Sequence, residues 1–302
     1  MTPLEVGPHV RILVKQVLSM PRLVVLFLIC GAFVLALHER GLAAETKLSA
    51  AQSRVQGNGV LVIAHRGDSK VAPENTLPAF ESAVKAGADL IELDYLHSAD
   101  GVPVVFHDGH LDRTTNAVSL WGAMKIRLVD KSLAELKLLD AGSWFDPKFA
   151  GTKIPTLSAA LDVIQNGSMT LIERKHGDAA TCVQLLTDKQ LLDQVVVQAF
   201  DWRYLADCHR LAPELVLGAL GHQELTAEKL DQIAKTGASV VGWEDKNSSA
   251  ETIQAIHDRG WKAWVWTVDD PQRAVALVQA GADGIITNRP AAIRAAIEAA
   301  AK

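Results

Sequence analysis

Cysteine is scarce in this sequence. Its 302 residues hold three, Cys30, Cys182 and Cys208, and none belongs to a Cys/His cluster at the spacing of a zinc centre, which disfavours zinc. Cys30 lies in an apolar run, and Leu28-Ile29 before it lacks the small residues of a bacterial lipidation motif, so it reads as part of the run. Cys182 and Cys208 each fall in a helical pattern; an oxidising compartment permits them to pair, and two free buried thiols are the alternative. Charge of one sign is also lacking. A formal net charge of -5 gives no general attraction to nucleic acid or anionic lipid, so no nucleic-acid partner is expected and any phosphate must be bound by local groups. There is no internal repeat or low-complexity tract, and composition breaks only at 45–58. With 49% hydrophobic and 22% charged residues, one folded domain is the economical reading.

One long apolar run is present, and it is short for a membrane span. Leu23–Leu37 carries no charge over 15 residues and follows Arg11, Lys15 and Arg22. At about 1.5 Å per residue it reaches about 22 Å, against roughly 30 Å of hydrocarbon. That favours an export signal, with Gly41, Ala43 and Ala44 supplying small residues for cleavage. The long segment before the run, apolar from Ile12 to Leu18, also fits an uncleaved anchor with its positive flank inside. Residues 1–44 are thus expected to be a signal peptide or signal anchor, 45–58 a polar linker, and 59–302 an exported domain, periplasmic or extracellular. Membrane association would come through the N-terminal segment.

From Gly59, short β-branched apolar runs alternate with amphipathic helical stretches, the pattern of parallel strands covered by helices. Strands are expected near 60–64, 89–95, 102–106, 169–174, 194–199, 214–218, 238–242, 262–267 and 283–286. That is one more than a closed (β/α)8 barrel needs, and the excess is expected at 214–218, at 238–242 or at the last segment. The turn signal Ser98-Ala99-Asp100-Gly101 leaves no room for a crossover helix, so the second and third strands are joined by an irregular loop or form a hairpin. Residues 111–156, with a helical pattern at Ser132–Leu139 and a Trp144-Phe145 pair, are too long for a plain βα loop and are expected to form a cap.

Polar residues recur where these strands end: His65-Arg66, Glu92 and Asp94, His107-Asp108, Glu173 and Lys175. The carboxyl ends of barrel strands share one mouth, so these segments are expected to converge there. Residues two apart on a strand share a face, which pairs Glu92 with Asp94 and Glu173 with Lys175. Three inward carboxylates repel unless a cation or proton neutralises them, and hard oxygen ligands suit one divalent cation, Mg²⁺ or Ca²⁺. His65 and His107 titrate near neutral pH and suit proton transfer; Arg66 and Lys175 suit a phosphodiester anion. Taken singly, a strand-end histidine or carboxylate is ordinarily solvated or caps a helix; joint placement carries the reading.

The set resembles the glycerophosphodiester phosphodiesterase family across nearly all of residues 60–290. The matching stretches include AHRGDSKVAPENTLPAF at 64–80, DLIELDYLHSADGVPVVFHDGHLDRTTN at 89–116, LIERK at 171–175, VVQAFDW at 196–202, VWTVDD at 265–270 and GADGIITNRP at 281–290. The resemblance implies a TIM barrel with an inserted cap, a small-molecule glycerophosphodiester substrate cleaved to glycerol 3-phosphate and an alcohol, and a divalent cation. It makes His65 and His107 the acid/base pair and Glu92, Asp94 and Glu173 the metal ligands, with Arg66 and Lys175 on phosphate. Glu74, in the PENT element, is placed at the substrate, and Asn75 or Thr76 could instead cap the next helix. Trp266 is expected as an apolar wall for glycerol carbons or as core packing. Arg174 and Ala199 depart from the family pattern, and an outward Arg174 needs a carboxylate partner or a route to solvent. His97, His110 and His176 are expected on solvated loops.

Two other functions fit the same residues. A lysophospholipase D would hold an acyl chain in a cap groove lined by Leu120, Trp121, Trp144 and Phe145, and a silent phosphate-binding barrel would keep the fold without the reaction.

Overall fold

The structure, a computed structural model, describes residues 48–302, so the segment read as signal peptide or anchor lies outside the described residues. Among the described residues no helix is long and apolar enough to cross a membrane.

The chain opens with α1 (Ala50–Gln56), then β1 (Leu61–Ala64), α2 (Leu77–Lys85), β2 (Leu90–His97) and β3 (Pro103–Val105). Short helices α3 (Ala117–Trp121) and α4 (Leu133–Leu136) lie in the long insertion, which ends at α5 (Leu157–Ile164). Strand and helix then alternate: β4 (Met169–Arg174), α6 (Ala179–Asp188), β5 (Val195–Ala199), α7 (Trp202–Leu211), β6 (Val216–Gly221), α8 (Ala227–Ile233) and β7 (Val240–Glu244). The last elements are α9 (Ala250–His257), β8 (Lys262–Trp266), α10 (Pro271–Gln279), β9 (Gly284–Thr287) and α11 (Pro290–Ala300). All strands except β3 run parallel, and β1 pairs with both β9 and β2, closing an eight-stranded TIM barrel without an edge.

The excess strand is β3, not the segments at 214–218, 238–242 or 283–286. It returns antiparallel along the end of β2, pairing Tyr95 with Val105 and His97 with Pro103 around a turn at Gly101, whose φ is 78°. The hairpin places the residues that follow it: Phe106 N donates to Asp94 O at 3.0 Å, which sets His107 beside the mouth. The insertion packs Leu111, Leu128 and Leu136, with smaller contributors, on Leu96, Val104 and Phe106 of the hairpin, so it is a packed cap.

Inward and outward residues alternate along the strands. Leu93 and Tyr95 point out into the helix layer, while Leu61, Ile63, Leu90, Leu171, Val196 and Trp264 fill the interior. Trp264 is fully buried there, and a Cβ on Gly284 would stand 2.6 Å from its Cδ1. Gly284→Ala is therefore expected to cost about 1–3 kcal/mol through overpacking, read as a lower denaturation midpoint at unchanged slope. An unchanged midpoint would show that the ring has room to move.

Within the stretch read as a linker, residues 50–56 form a helix. Ser49 and Gln52 form a reciprocal capping box, and α1 lays Ala51 and Val55 against the interior cluster at the amino ends of the strands. Cys182 and Cys208 are free, buried thiols on α6 and α7, and burial pushes Cys208 up to about 12.

Candidate active site

At the carboxyl ends of the strands lies a cavity of about 210 Å³ lined by His65, Arg66, His107, Glu173, Lys175 and Trp266, among others. Beneath its floor Glu92 and Asp94 are fully buried. Strand alternation delivers the acids, since β2 and β4 are in register with Asp94 opposite Glu173. Glu92, Asp94 and Glu173 each offer an oxygen within 4.8 Å of the others.

The loop after β1 is built around backbone that few residues tolerate. Gly67 has φ 83°, and a Cβ there would lie 2.7 Å from the carbonyl carbon of Ala79, so glycine is required. Arg66 itself has φ 57° and is held by its surroundings: its N–H donates to Glu92 Oε2 at 2.8 Å, and its guanidinium meets Glu74 Oε1 at 2.8 Å and Asp94 Oδ2 at 3.3 Å. Asn75 does not cap α2. Its Nδ2 donates to Asp94 Oδ2 at 2.7 Å and its Oδ1 accepts from Asp94 N at 3.1 Å. Thr76 occupies the cap position, but its hydroxyl donates to Pro73 O.

Three buried acids dominate the electrostatics. Desolvation, then the negative charges of Asp94 and Glu173, drives Glu92 well above the usual carboxylate range; desolvation and Asp94 also push Glu173 upward. Burial pushes Asp94 the same way, but Lys175 and Arg66 outweigh it and hold it low. Lys175 Nζ stands 3.2 Å from Asp94 Oδ1 and contacts Glu173 Oε1. Glu92 Oε1 is buried without a hydrogen-bond partner, and the two oxygens facing Lys175 lack an aligned hydrogen bond as well. Three carboxylates face two cations, Arg66 and Lys175, so with all ionised the cluster keeps a net negative charge that a cation would offset. The donor set is all oxygen, which fits Mg²⁺ or Ca²⁺.

Each histidine is tethered by Nδ1. His65 Nδ1 lies 2.7 Å from Asn288 Oδ1, while Asn288 Nδ2 donates to Asp269 Oδ2 at 2.8 Å. A carboxylate only accepts, so the amide oxygen faces His65, Nδ1 carries the hydrogen, and Nε2 keeps its lone pair. Burial, then Arg66, lowers His65 to about 4. His107 Nδ1 lies 2.6 Å from Asp108 Oδ1. Burial, with Arg66 and Lys175, holds His107 below its ordinary value, opposed by Asp94 and Asp108. Asp108 stays ionised near 2 because Arg113 and His107 outweigh its burial.

The expected residues are therefore together, with one exception. Glu74 is not among the residues that line the cavity: its oxygens accept from Arg66 and Arg113, so it meets Arg66 from behind. Trp266 lines the cavity with Phe200 edge-on at 5.6 Å. Arg174 points outward to Asp201 at 3.1 Å, over the Tyr204 ring, and leaves Lys175 undisturbed. His97 is no solvated loop residue; it ends β2 and is buried. Leu120, Trp121, Trp144 and Phe145 do not line the cavity, and Trp121 packs on the cap core with Lys131 Nζ 4.4 Å above its ring. Gln198, Phe200 and Asn288 were not singled out as site residues, although their stretches match the family, because their placement depends on contacts between distant segments; Asp108 was named only as the strand-end neighbour of His107.

The sequence matches the Glycerophosphoryl diester phosphodiesterase family over residues 65–292. A glycerophosphodiester phosphodiesterase of Caldanaerobacter subterraneus subsp. tengcongensis is 37% identical over 237 residues, spanning 76% of this chain and 94% of that protein. One from Bacillus subtilis is 34% identical over 254 residues, 76% of this chain and 84% of the relative. Among solved structures, an Oleispira antarctica phosphodiesterase in complex with the product sn-glycerol-3-phosphate superposes with a TM-score of 0.73 at 30% identity, covering 79% of this chain and 96% of that one. With the family matched across the barrel and its mouth, this chain belongs to the glycerophosphoryl diester phosphodiesterase family.

Proposed function

We propose that the protein hydrolyses glycerophosphodiesters to sn-glycerol 3-phosphate and an alcohol, requires one divalent cation, and uses His65 and His107 as its acid/base pair. The observation that carries this reading is one cavity bounded by two Nδ1-tethered histidines, two cations and an acidic trio. The product held by the Oleispira relative is consistent with it.

Arg66 and Lys175 hold the phosphodiester anion, Arg66 through its planar fork and Lys175 as a point charge. Glu92, Asp94 and Glu173 would hold the cation, which when bound supplies Lewis-acid stabilisation of charge on the phosphoryl oxygens. His65, hydrogen-bonded to a neutral amide and neutral at ordinary pH, takes the proton of the attacking hydroxyl at Nε2. His107, backed by the Asp108 carboxylate that stabilises an imidazolium, gives a proton to the leaving alcohol. Trp266 and Phe200 form an apolar wall suited to carbon atoms of the substrate. At about 210 Å³ the cavity is smaller than the roughly 300–1,000 Å³ of drug-sized sites and suits a small diester better than a lipid chain.

Hydrolysis of glycerophosphocholine, glycerophosphoinositol and a lysophospholipid, each with and without chelator, tests the reading. Turnover of the first two, abolished by chelator and restored by Mg²⁺ or Ca²⁺, is expected. Preference for the lysophospholipid would favour a lysophospholipase D, and no turnover of any would leave a silent barrel.

A further inference from the structure

Arg113 stands in the first turn of the cap, outside the cavity and about half exposed, yet it joins two of the site's supports. Its Nε donates to Asp108 Oδ2 at 2.6 Å, and its two terminal nitrogens donate to Glu74 Oε2 at 2.8 Å and Glu74 Oε1 at 2.7 Å. Each carboxylate spends its other capacity on a cavity residue: Asp108 Oδ1 meets His107 Nδ1 at 2.6 Å, and Glu74 Oε1 also accepts from Arg66 at 2.8 Å. One guanidinium thus links three loops, after β1, after β3 and in the cap. The cap core fixes its root, since Leu111 is fully buried and Thr115 Oγ1 donates back to Leu111 O at 2.6 Å.

We propose that Arg113 is a positioning residue through which the cap sets the spacing of His107 and Arg66 across the mouth. This inference rests on the roles given to those two residues above. Without the guanidinium, Asp108 and Glu74 are like charges brought together with no cation between them. Each then keeps only its contact with Arg66 or His107 and is held from one side, so the imidazole and the phosphate-binding fork lose a shared restraint on their orientation. Lysine cannot substitute, because a point charge cannot donate to both carboxylates in one plane. The bland reading is an exposed salt bridge that merely staples the cap and contributes little.

The two readings separate in the kinetics of the full chain with saturating divalent cation on glycerophosphocholine. Arg113→Gln is expected to lower kcat by about 10–100-fold, the range seen when supports behind a functional group are removed. Arg113→Lys is expected to recover only a small part of that loss while keeping the parent melting temperature, which guards against simple misfolding of the first variant. Asp108→Asn alone should lower kcat similarly, and the double variant Arg113→Gln with Asp108→Asn should fall well short of the product of the two single losses, because both act through His107. A merely structural staple would change melting temperature and leave kcat within twofold of the parent, and that result overturns the inference. Losses that multiply in the double variant, or full recovery by Arg113→Lys, overturn it as well. His107→Ala run alongside distinguishes the failures. If it retains parent activity, the roles assigned to the site are wrong; if it is inactive while Arg113→Gln is parent-like, only the role of Arg113 falls.

Discussion

Alanine at His65 or His107 is expected to reduce kcat by about 10²–10⁴ while leaving cation binding intact, since general acid/base assistance contributes on that scale. Neither imidazole is among the three oxygen donors, so calorimetric titration with Mg²⁺ or Ca²⁺ should match the parent. A diester with an activated leaving group needs little protonation, and it separates the two roles. His107→Ala should recover much of its loss on such a substrate, and His65→Ala should not. The opposite pattern would exchange the roles, and equal impairment on both substrates would sink the two-histidine mechanism. The pH profile adds a sign. A base works when neutral, and His65, lowered to about 4, is neutral from there upward. With the cation saturating, the acid limb of kcat/KM should lie below the ordinary histidine value of about 6.5, because the burial and the Arg66 charge that lower His65 remain.

The second large effect belongs to the acids. Glu92→Gln keeps the shape and the acceptor for Arg66 N but removes a buried negative charge. Cation affinity should fall by at least the roughly 10–100-fold that loss of an outer support costs, and activity should fall with it, partly restored by excess cation. Stability should move the other way. The charge is fully buried and its carboxylate is driven well above the usual range by desolvation and its acidic neighbours. In the absence of cation the variant should therefore melt no lower than the parent, and the rise in Tm on adding Mg²⁺ or Ca²⁺ should shrink. Cation titration identical to the parent would remove Glu92 from the ligand set.

The barrel was legible because parallel strands buried on both faces are short apolar runs, and each polar residue at a run's end marks the mouth. Glu92 and Asp94 could be paired from alternation alone, and β2 carries both inward. The count of strands misled for a physical reason: β3 looks like its neighbours in composition, and only its antiparallel pairing excludes it from the barrel. Helix α1 was hidden because its length of about two turns buries only Ala51 and Val55, too few to set a period, although Ser49 and Gln52 already spelled its cap. The tethers of the histidines were harder still. Asn288 reaches His65 across 223 residues, and no local pattern distinguishes that amide from one in a turn. The contacts of Glu74 were hidden likewise, since proximity to Arg66 in sequence does not tell that its carboxylate is shared between Arg66 and Arg113.

Helix α1 closes the floor of the barrel, and Ala51 N is bonded to Asp193 O just ahead of β5, at the end remote from the histidines. The described chain thus begins at the closed end of the barrel. A change in α1 would be felt first at the end that does no chemistry, as lost stability with the mouth left intact.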